Sequence, residues 1–222
     1  MKIVILDGHA VNPGDLSWDC FKQFGDVTVY ERTDYSQAAN RIGDAEIVMT
    51  NKTPITEELL NACPNLRLVC VLATGYNVVD CKATRRRGIP VCNVPDYGTN
   101  AVAQFTFSLL LELCNRVGHH DHAVHRGDWT ACPDFCFWNT PQMELAGKAL
   151  GIIGFGRIGQ ATGKIAKALG MKILACGSRP TEEGKSIAEY VDMDTLLSCS
   201  DVISLHCPLF PETKGIINKN TI

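Results

Sequence analysis

Apolar residues along the chain fall into two patterns of alternating strands and helices, with one long helix between them. Short β-rich apolar runs lie at Ile3–Leu6, Val27–Tyr30, Ile47–Thr50, Leu66–Leu72 and Val91–Asn93, each bounded by turn residues, and these predict buried strands. Between them, Leu16–Phe24, Gln37–Ile42, Thr56–Cys63 and Val79–Arg87 read as helices. The third of these follows Pro54 and opens on Thr56 with Glu57 and Glu58 in its first turn, where acidic groups suit the positive end of the helix. Strand and helix in alternation imply a parallel sheet covered on both faces. The first hundred residues therefore predict one small doubly wound α/β unit.

From Asn100 the period changes. Val102, Phe105, Leu109, Leu110, Leu113 and Val117 recur at three- and four-residue spacing, which predicts a single long amphipathic helix. The stretch GDWTACPDFCFWNTP follows, and its Trp129, Phe135, Phe137 and Trp138 are expected to be buried. A second α/β unit begins at Lys148, with strands expected at Ala149–Ile153, Lys172–Cys176 and Val202–Leu205. Only those three strands are evident after the long helix, so this unit is expected to be incomplete at its C-terminal end.

Composition narrows the functional classes. The chain has 222 residues, and 21 Lys and Arg against 24 Asp and Glu leave a net charge of -3, so no basic field exists to attract a nucleic acid or an anionic membrane. Eleven cysteines are scattered singly, mostly in apolar runs and without a C-x-x-C pair. The opening MKIVILDGHA lacks a long apolar core and a cleavage site, so reduced core thiols in a cytoplasmic protein are expected rather than a secreted disulfide scaffold.

The strongest local motif is ALGIIGFGRIGQATGKIAKALGMKILACG. A strand leads into Gly154-x-Gly156-x-x-Gly159, then a helix, then a second strand, which is the order a dinucleotide fold requires. Gly154 permits the tight turn, Gly156 allows a pyrophosphate to approach the backbone, and Gly159 lets helix and strand pack closely. The helix opening at Arg157 and Ile158 offers N–H groups and its dipole to the phosphates. Eighteen positions beyond Gly159, where an acidic residue would bond the ribose of NAD, stand Gly177, Ser178 and Arg179. A hydroxyl and a guanidinium suit a 2′-phosphate, so NADP is expected ahead of NAD. The alternative is that Arg179 is a solvated loop residue.

These features resemble the D-isomer-specific 2-hydroxyacid dehydrogenase family. The resemblance runs over the whole chain through VLATGYNVVD (71–80), GIPVCNVPDYGTNAVAQ (88–104), ELAGKALGIIGFGRIG (144–159) and DVISLHCPLFPET (201–213). It implies a flavodoxin-like substrate domain at 1–99 and a Rossmann NAD(P)-binding domain at 100–222. The implied activity is NAD(P)-dependent oxidation and reduction of a small D-2-hydroxy acid of the glycerate, hydroxypyruvate or glyoxylate type. The loop at Thr74 and Gly75, with Tyr76 nearby, is then expected to hold the substrate carboxylate. Val102 would lie near the nicotinamide, and His206, Cys207, Pro208 and Thr213 would line the cofactor. Family members pair as homodimers through the long helix and the aromatic stretch. Gln104 departs from the glutamate that many members carry.

The resemblance also implies that the catalytic arginine, acid and histidine come from a segment following residue 222. No catalytic residue is therefore assigned within the chain, and the 222-residue piece is expected to be inactive alone. The rival class is a nucleotide-sensing binding module of corepressor type. A continuation of the encoded protein into an N-x-x-R-G motif and a later histidine would exclude that rival. His119, His122, His125, Cys132 and Cys136 match no standard zinc spacing, so no metal is assigned. The run Arg85–Arg87 is read as a solvated helix end, favourable near the C-terminal dipole.

Overall fold

A computed structural model describes residues 1–177 and 179–221, and the chain folds as two units, Met1–Tyr97 and Gly98–Ile222. The first unit comprises β1 (Lys2–Ile5), β2 (Asp26–Val29), α1 (Tyr35–Ile42), β3 (Ile47–Thr50), α2 (Glu57–Ala62), β4 (Leu68–Val71), α3 (Cys81–Arg86) and β5 (Val91–Cys92). All the pairings are parallel and the strand order is β2-β1-β3-β4-β5. That is the flavodoxin-like order, with its reversal between β1 and β3.

The helices begin where the sequence supplies caps. Thr56 accepts the amide of Leu59 at 3.2 Å, and Asp80 accepts those of Lys82 and Ala83 at 3.0 and 2.9 Å. One face of the sheet packs Leu6, Val48, Val69 and Val71 against Ala38, Ile42, Leu59 and Leu60, all buried. The other face carries a smaller cluster, Ile3, Ile5 and Met49, with Trp18 and Phe21 laid over it.

The expected helix at Leu16–Phe24 is instead a 3-10 turn at Asp19–Phe24 with no buried residue. It has no apolar stripe to bury along its length, so only Trp18 and Phe21 dock and a regular helix gains nothing further.

The second unit contains α4 (Thr99–Asn115), α5 (Val117–His125), α6 (Asp128–Ala131), β6 (Ala149–Ile153), α7 (Arg157–Ala168), β7 (Lys172–Cys176), α8 (Glu182–Ile187), β8 (Glu189–Tyr190), α9 (Met193–Cys199) and β9 (Val202–Leu205). Its parallel sheet runs β8-β7-β6-β9. In order of appearance this is 3-2-1-4, the Rossmann arrangement with its reversal between β6 and β9. The buried residues Phe107, Leu110 and Cys114 of α4 belong to the same core as Leu150, Ile152 and Ala166.

Further expectations are corrected here. The long helix breaks at Arg116, whose φ of 47° is left-handed, so α4 and α5 are separate helices. Strand β8 is two residues long, too short for an apolar run to betray. The aromatic stretch is only partly covered within one chain: it folds back on α5, where Phe137 is half-buried between Trp129 and His120, but Trp129 is 51% exposed, Trp138 67% and Phe135 91%. The cysteines are reduced, but only Cys63 and Cys114 are buried core thiols. Others lie at borders, as Cys92 does on the edge strand β5.

Among the described residues, no helix is long and apolar enough to cross a membrane, and no group of three His, Cys, Asp or Glu side chains could hold a metal ion.

Candidate functional site

Each sheet has a reversal point, and the expected phosphate-turn residues of the second unit lie at its reversal, whereas those of the first unit follow β4, one strand away from its own. In the second unit, β6 runs into Gly154, whose φ of 92° favours glycine. A Cβ at Gly154 would lie 2.4 Å from the Cys207 nitrogen and 2.7 Å from the His206 carbonyl carbon. The turn after β6 and the loop after β9 are thus in direct backbone contact, and the His206 amide donates to the Ile153 carbonyl at 2.8 Å. Gly159 is equally constrained, since its Cβ would come within 2.4 Å of the Gly154 oxygen.

Gly156 differs from both. It caps α7 in an extended conformation (φ −82°, ψ −156°), and a Cβ there would meet nothing within 4 Å. The surface in front of Gly156 is therefore open, and Arg157, Ile158 and Gly159 form the first turn behind it. Helix α7 has twelve residues, so its dipole is developed at that end.

The remaining residues divide. Val102 and His206 line one cavity of about 290 Å³ between α4 and β9, with Thr106 and Leu205. The His206 ring bonds the Ser204 hydroxyl at 2.9 Å, and burial holds its pKa below the usual imidazole value. Thr213 turns inward on its own loop: its hydroxyl donates to the Pro208 carbonyl at 2.7 Å and accepts the Phe210 amide at 2.8 Å. Its hydroxyl therefore shapes the loop that carries Pro208. Gly177 ends β7 with room for a side chain, a Cβ there lying 3.4 Å from the Phe155 nitrogen. Arg179 is exposed nearby in sequence, whereas Ser178 lies outside the described residues.

In the first unit, Thr74, Gly75 and Tyr76 form an exposed turn after β4. The Thr74 hydroxyl donates to the Val94 carbonyl at 2.8 Å, the Asn93 amide donates to the Thr74 carbonyl at 2.8 Å, and the Val94 amide donates to Ala73 at 3.0 Å. Among the described residues, the backbone amides of Thr74 and Gly75 donate to no protein group. Two successive amides of this kind suit an anion.

Sequence reasoning missed the first unit's own reversal point. Asp7, only 6% exposed, accepts the amides of Asn51 at 2.7 Å, Lys52 at 2.5 Å and Thr53 at 2.8 Å. The only available signal was an aspartate directly after an apolar strand.

A doubly wound sheet with a glycine turn at its reversal point defines a dinucleotide-binding fold. The chain belongs to a particular family of that class. The model of "D-isomer specific 2-hydroxyacid dehydrogenase, NAD binding domain" matches residues 107–222. A hydroxypyruvate reductase from Blautia hydrogenotrophica is 57% identical over the whole chain, which spans 70% of that protein. A glycerate dehydrogenase from Methylorubrum extorquens is 37% identical over 97% of the chain and 66% of its own length. Among solved structures, a D-lactate dehydrogenase from Aquifex aeolicus in complex with NAD and lactic acid superimposes with a TM-score of 0.84 at 28% identity, over all of this chain and 65% of that one. An acyclic imino acid reductase in complex with NADPH and D-Arg gives 0.83 at 28% identity, over all of this chain and 70% of that one.

Membership makes the protein a nicotinamide-dependent oxidoreductase of 2-hydroxy acids, with NAD or NADP as cofactor. The second unit fits that cofactor on one observation of its own. Of the three motif glycines, Gly154 and Gly159 are closed in by backbone, and Gly156 alone faces open space at a helix N-terminus.

Proposed function

We propose that the chain contributes the substrate and cofactor sites of an oxidoreductase that interconverts hydroxypyruvate, or a similarly small 2-oxo acid such as glyoxylate, with the corresponding D-2-hydroxy acid. NADP is preferred to NAD. The first unit serves as substrate domain, with Thr74 and Gly75 holding the carboxylate through their amides and Tyr76 bordering them. The second serves as cofactor domain, with Gly154, Gly156, Arg157, Ile158 and Gly159 around the pyrophosphate. Arg179, together with Ser178, reads the 2′-phosphate. Val102 borders the nicotinamide, and His206, Cys207, Pro208 and Thr213 line the cofactor, with the Thr213 hydroxyl shaping their loop.

The observation that carries this reading is the open face of Gly156 at the reversal of the second sheet. When bound, the dinucleotide supplies or accepts the hydride. The chain's own residues orient and shield. The Thr74–Gly75 turn fixes the carboxylate, and in the second unit Val102 and Leu205 offer the nicotinamide an apolar wall. The substrate class is supported by the relatives' activities, and the NADP preference by a glycine and an arginine where NAD enzymes place a carboxylate.

The same reading has the protein act in the cytoplasm as a homodimer. The exposed Trp129, Trp138, Leu109 and Leu113 support pairing, since each leaves apolar area in water. A net charge of -3 gives no support to a nucleic-acid or membrane partner.

Fluorescence titration with NADPH and then NADH, followed by hydroxypyruvate, tests the reading. Saturable binding with NADPH tighter is expected. Absence of saturable binding by either nucleotide overturns it.

A further inference from the structure

We propose that Asp7 and Asn51 are positioning residues for the substrate turn, so that a buried carboxylate sets the affinity of Thr74 and Gly75 for the substrate's carboxylate. The inference rests on the carboxylate-binding reading of that turn.

Asp7 is buried, and every contact recorded for its carboxylate comes from a neutral donor. Besides the three amides of Asn51, Lys52 and Thr53, the hydroxyls of Thr50 and Thr53 approach it at 3.4 and 3.3 Å. A buried charge is expensive unless its hydrogen bonds are complete, and here they come from a single loop. That loop has no regular structure of its own, so the anion fixes its conformation.

The loop hands its position on. The Asn51 side-chain amide donates to the Leu72 carbonyl at 2.8 Å, and the Leu72 amide donates to the Thr50 carbonyl at 2.8 Å. Leu72 is thereby clamped from both sides by the segment that Asp7 organises. Two residues later the chain reaches Thr74 and Gly75. Asn51 is itself only 8% exposed, so its amide has no freedom to serve another partner.

In a fold of this order, the reversal between β1 and β3 is where a ligand's anion commonly docks. Here the protein's own Asp7 fills the nest of amides. The external anion is thus directed one strand along, to the turn after β4, whose amides have no protein partner among the described residues.

The test uses the 222-residue chain, with amide chemical shifts read by NMR as oxalate, a small mimic of a 2-oxo acid, is added. In the wild type, Thr74 and Gly75 should shift saturably. Asn51→Ala removes the donor to Leu72 but leaves every bond to Asp7 in place, and it should weaken oxalate about tenfold. Asp7→Asn keeps the volume but turns one acceptor into a donor facing the amides, and should weaken it at least as much. Asn51→Ser, with a short hydroxyl donor, should recover part of the Asn51→Ala loss. NADPH affinity, which reports on the second unit, should stay unchanged in all three.

Equal oxalate affinity in wild type and Asn51→Ala overturns the positioning role and leaves the function intact. No response of Thr74 and Gly75 in the wild type overturns the carboxylate reading itself, and the positioning role with it. Asn51→Ala leaves the Asp7 cluster folded, so it decides the matter should Asp7→Asn not fold.

Discussion

Replacing the two neighbouring glycines of the phosphate turn one at a time should separate folding from binding. At Gly156 the backbone is in an extended region open to any residue, and a Cβ meets no atom within 4 Å. Gly156→Val should therefore change unfolding free energy by no more than roughly 0.5 kcal/mol, the range of substitutions that touch nothing. The same branched side chain would occupy the space through which a pyrophosphate reaches the α7 amides. Losing about 2.7 kcal/mol of binding corresponds to a hundredfold rise in Kd, and at least that is expected.

At Gly154 the balance reverses. A φ of 92° disfavours any side chain, and the new methyl would press on the Cys207 nitrogen at 2.4 Å. Backbone strain of this type costs on the order of 1–3 kcal/mol before the clash is counted. Because the neighbours are backbone atoms of the loop after β9, relief requires that loop to move. Gly154→Ala should thus lower the melting temperature by several degrees and weaken the nucleotide as well. Urea denaturation and NADPH fluorescence titration of the two variants give the four numbers needed. If Gly156→Val binds NADPH as the wild type does, the reasoning about the turn is refuted.

Arg179→Ala should cost about tenfold in NADP affinity with little effect on NAD, and Gly177→Asp, which the open site accepts, should shift preference toward NAD; a parallel loss of both nucleotides in Arg179→Ala would show a mere loop support. His206 is held neutral by burial, so its folded pKa lies below the unfolded value of 6.5. The unfolded chain then binds the proton first as pH falls, and stability should be full above about 6.5 and decline below it. Equilibrium unfolding at several pH values checks this, and His206→Gln should flatten that part of the profile; an unchanged profile would mean the decline comes from other groups. The 222-residue chain should bind NADPH without steadily oxidising it in the presence of hydroxypyruvate. Steady turnover, with contamination excluded, would place a proton donor among the chain's six histidines, and His206→Gln would be the first variant to assay.

Much of this fold can be read from period and motif. Each long apolar run became a strand, and the Gly154–Gly159 motif appeared with the strand and helix it needs on either side. What stayed hidden depends on contacts between distant residues. The nest around Asp7 joins positions 44 to 46 apart, and no spacing rule links an aspartate after one strand to amides after another. Strand β8 exists because Glu189 and Tyr190 pair with Leu174 and Ala175, not because two residues carry a pattern. Thr213 looks like any ligand-facing threonine until its hydroxyl is seen closing its own loop. Burial of Trp129 and Trp138 was inferred from their size alone, which says that such rings seek cover and not that this chain supplies it.

Both sheets are built outward from a middle strand. In the first, β1 waits for β2 on one side and β3 on the other; in the second, β6 waits for β7 and then for β9. In each case the later partner closes the reversal point. Ile3 pairs with Ile47, and Leu150 with Val202, across long intervening segments, and such pairings form slowly because closure entropy must be met before they gain anything. In the second unit the crevice at the reversal can close only when its last strand, β9, is paired. In a growing chain the order has a further effect: the glycine turn leaves the ribosome more than forty residues before the strand that completes it. Until Val202–Leu205 emerges, β6 has an unpaired side, and the nascent second unit is open to the wrong strand partners there.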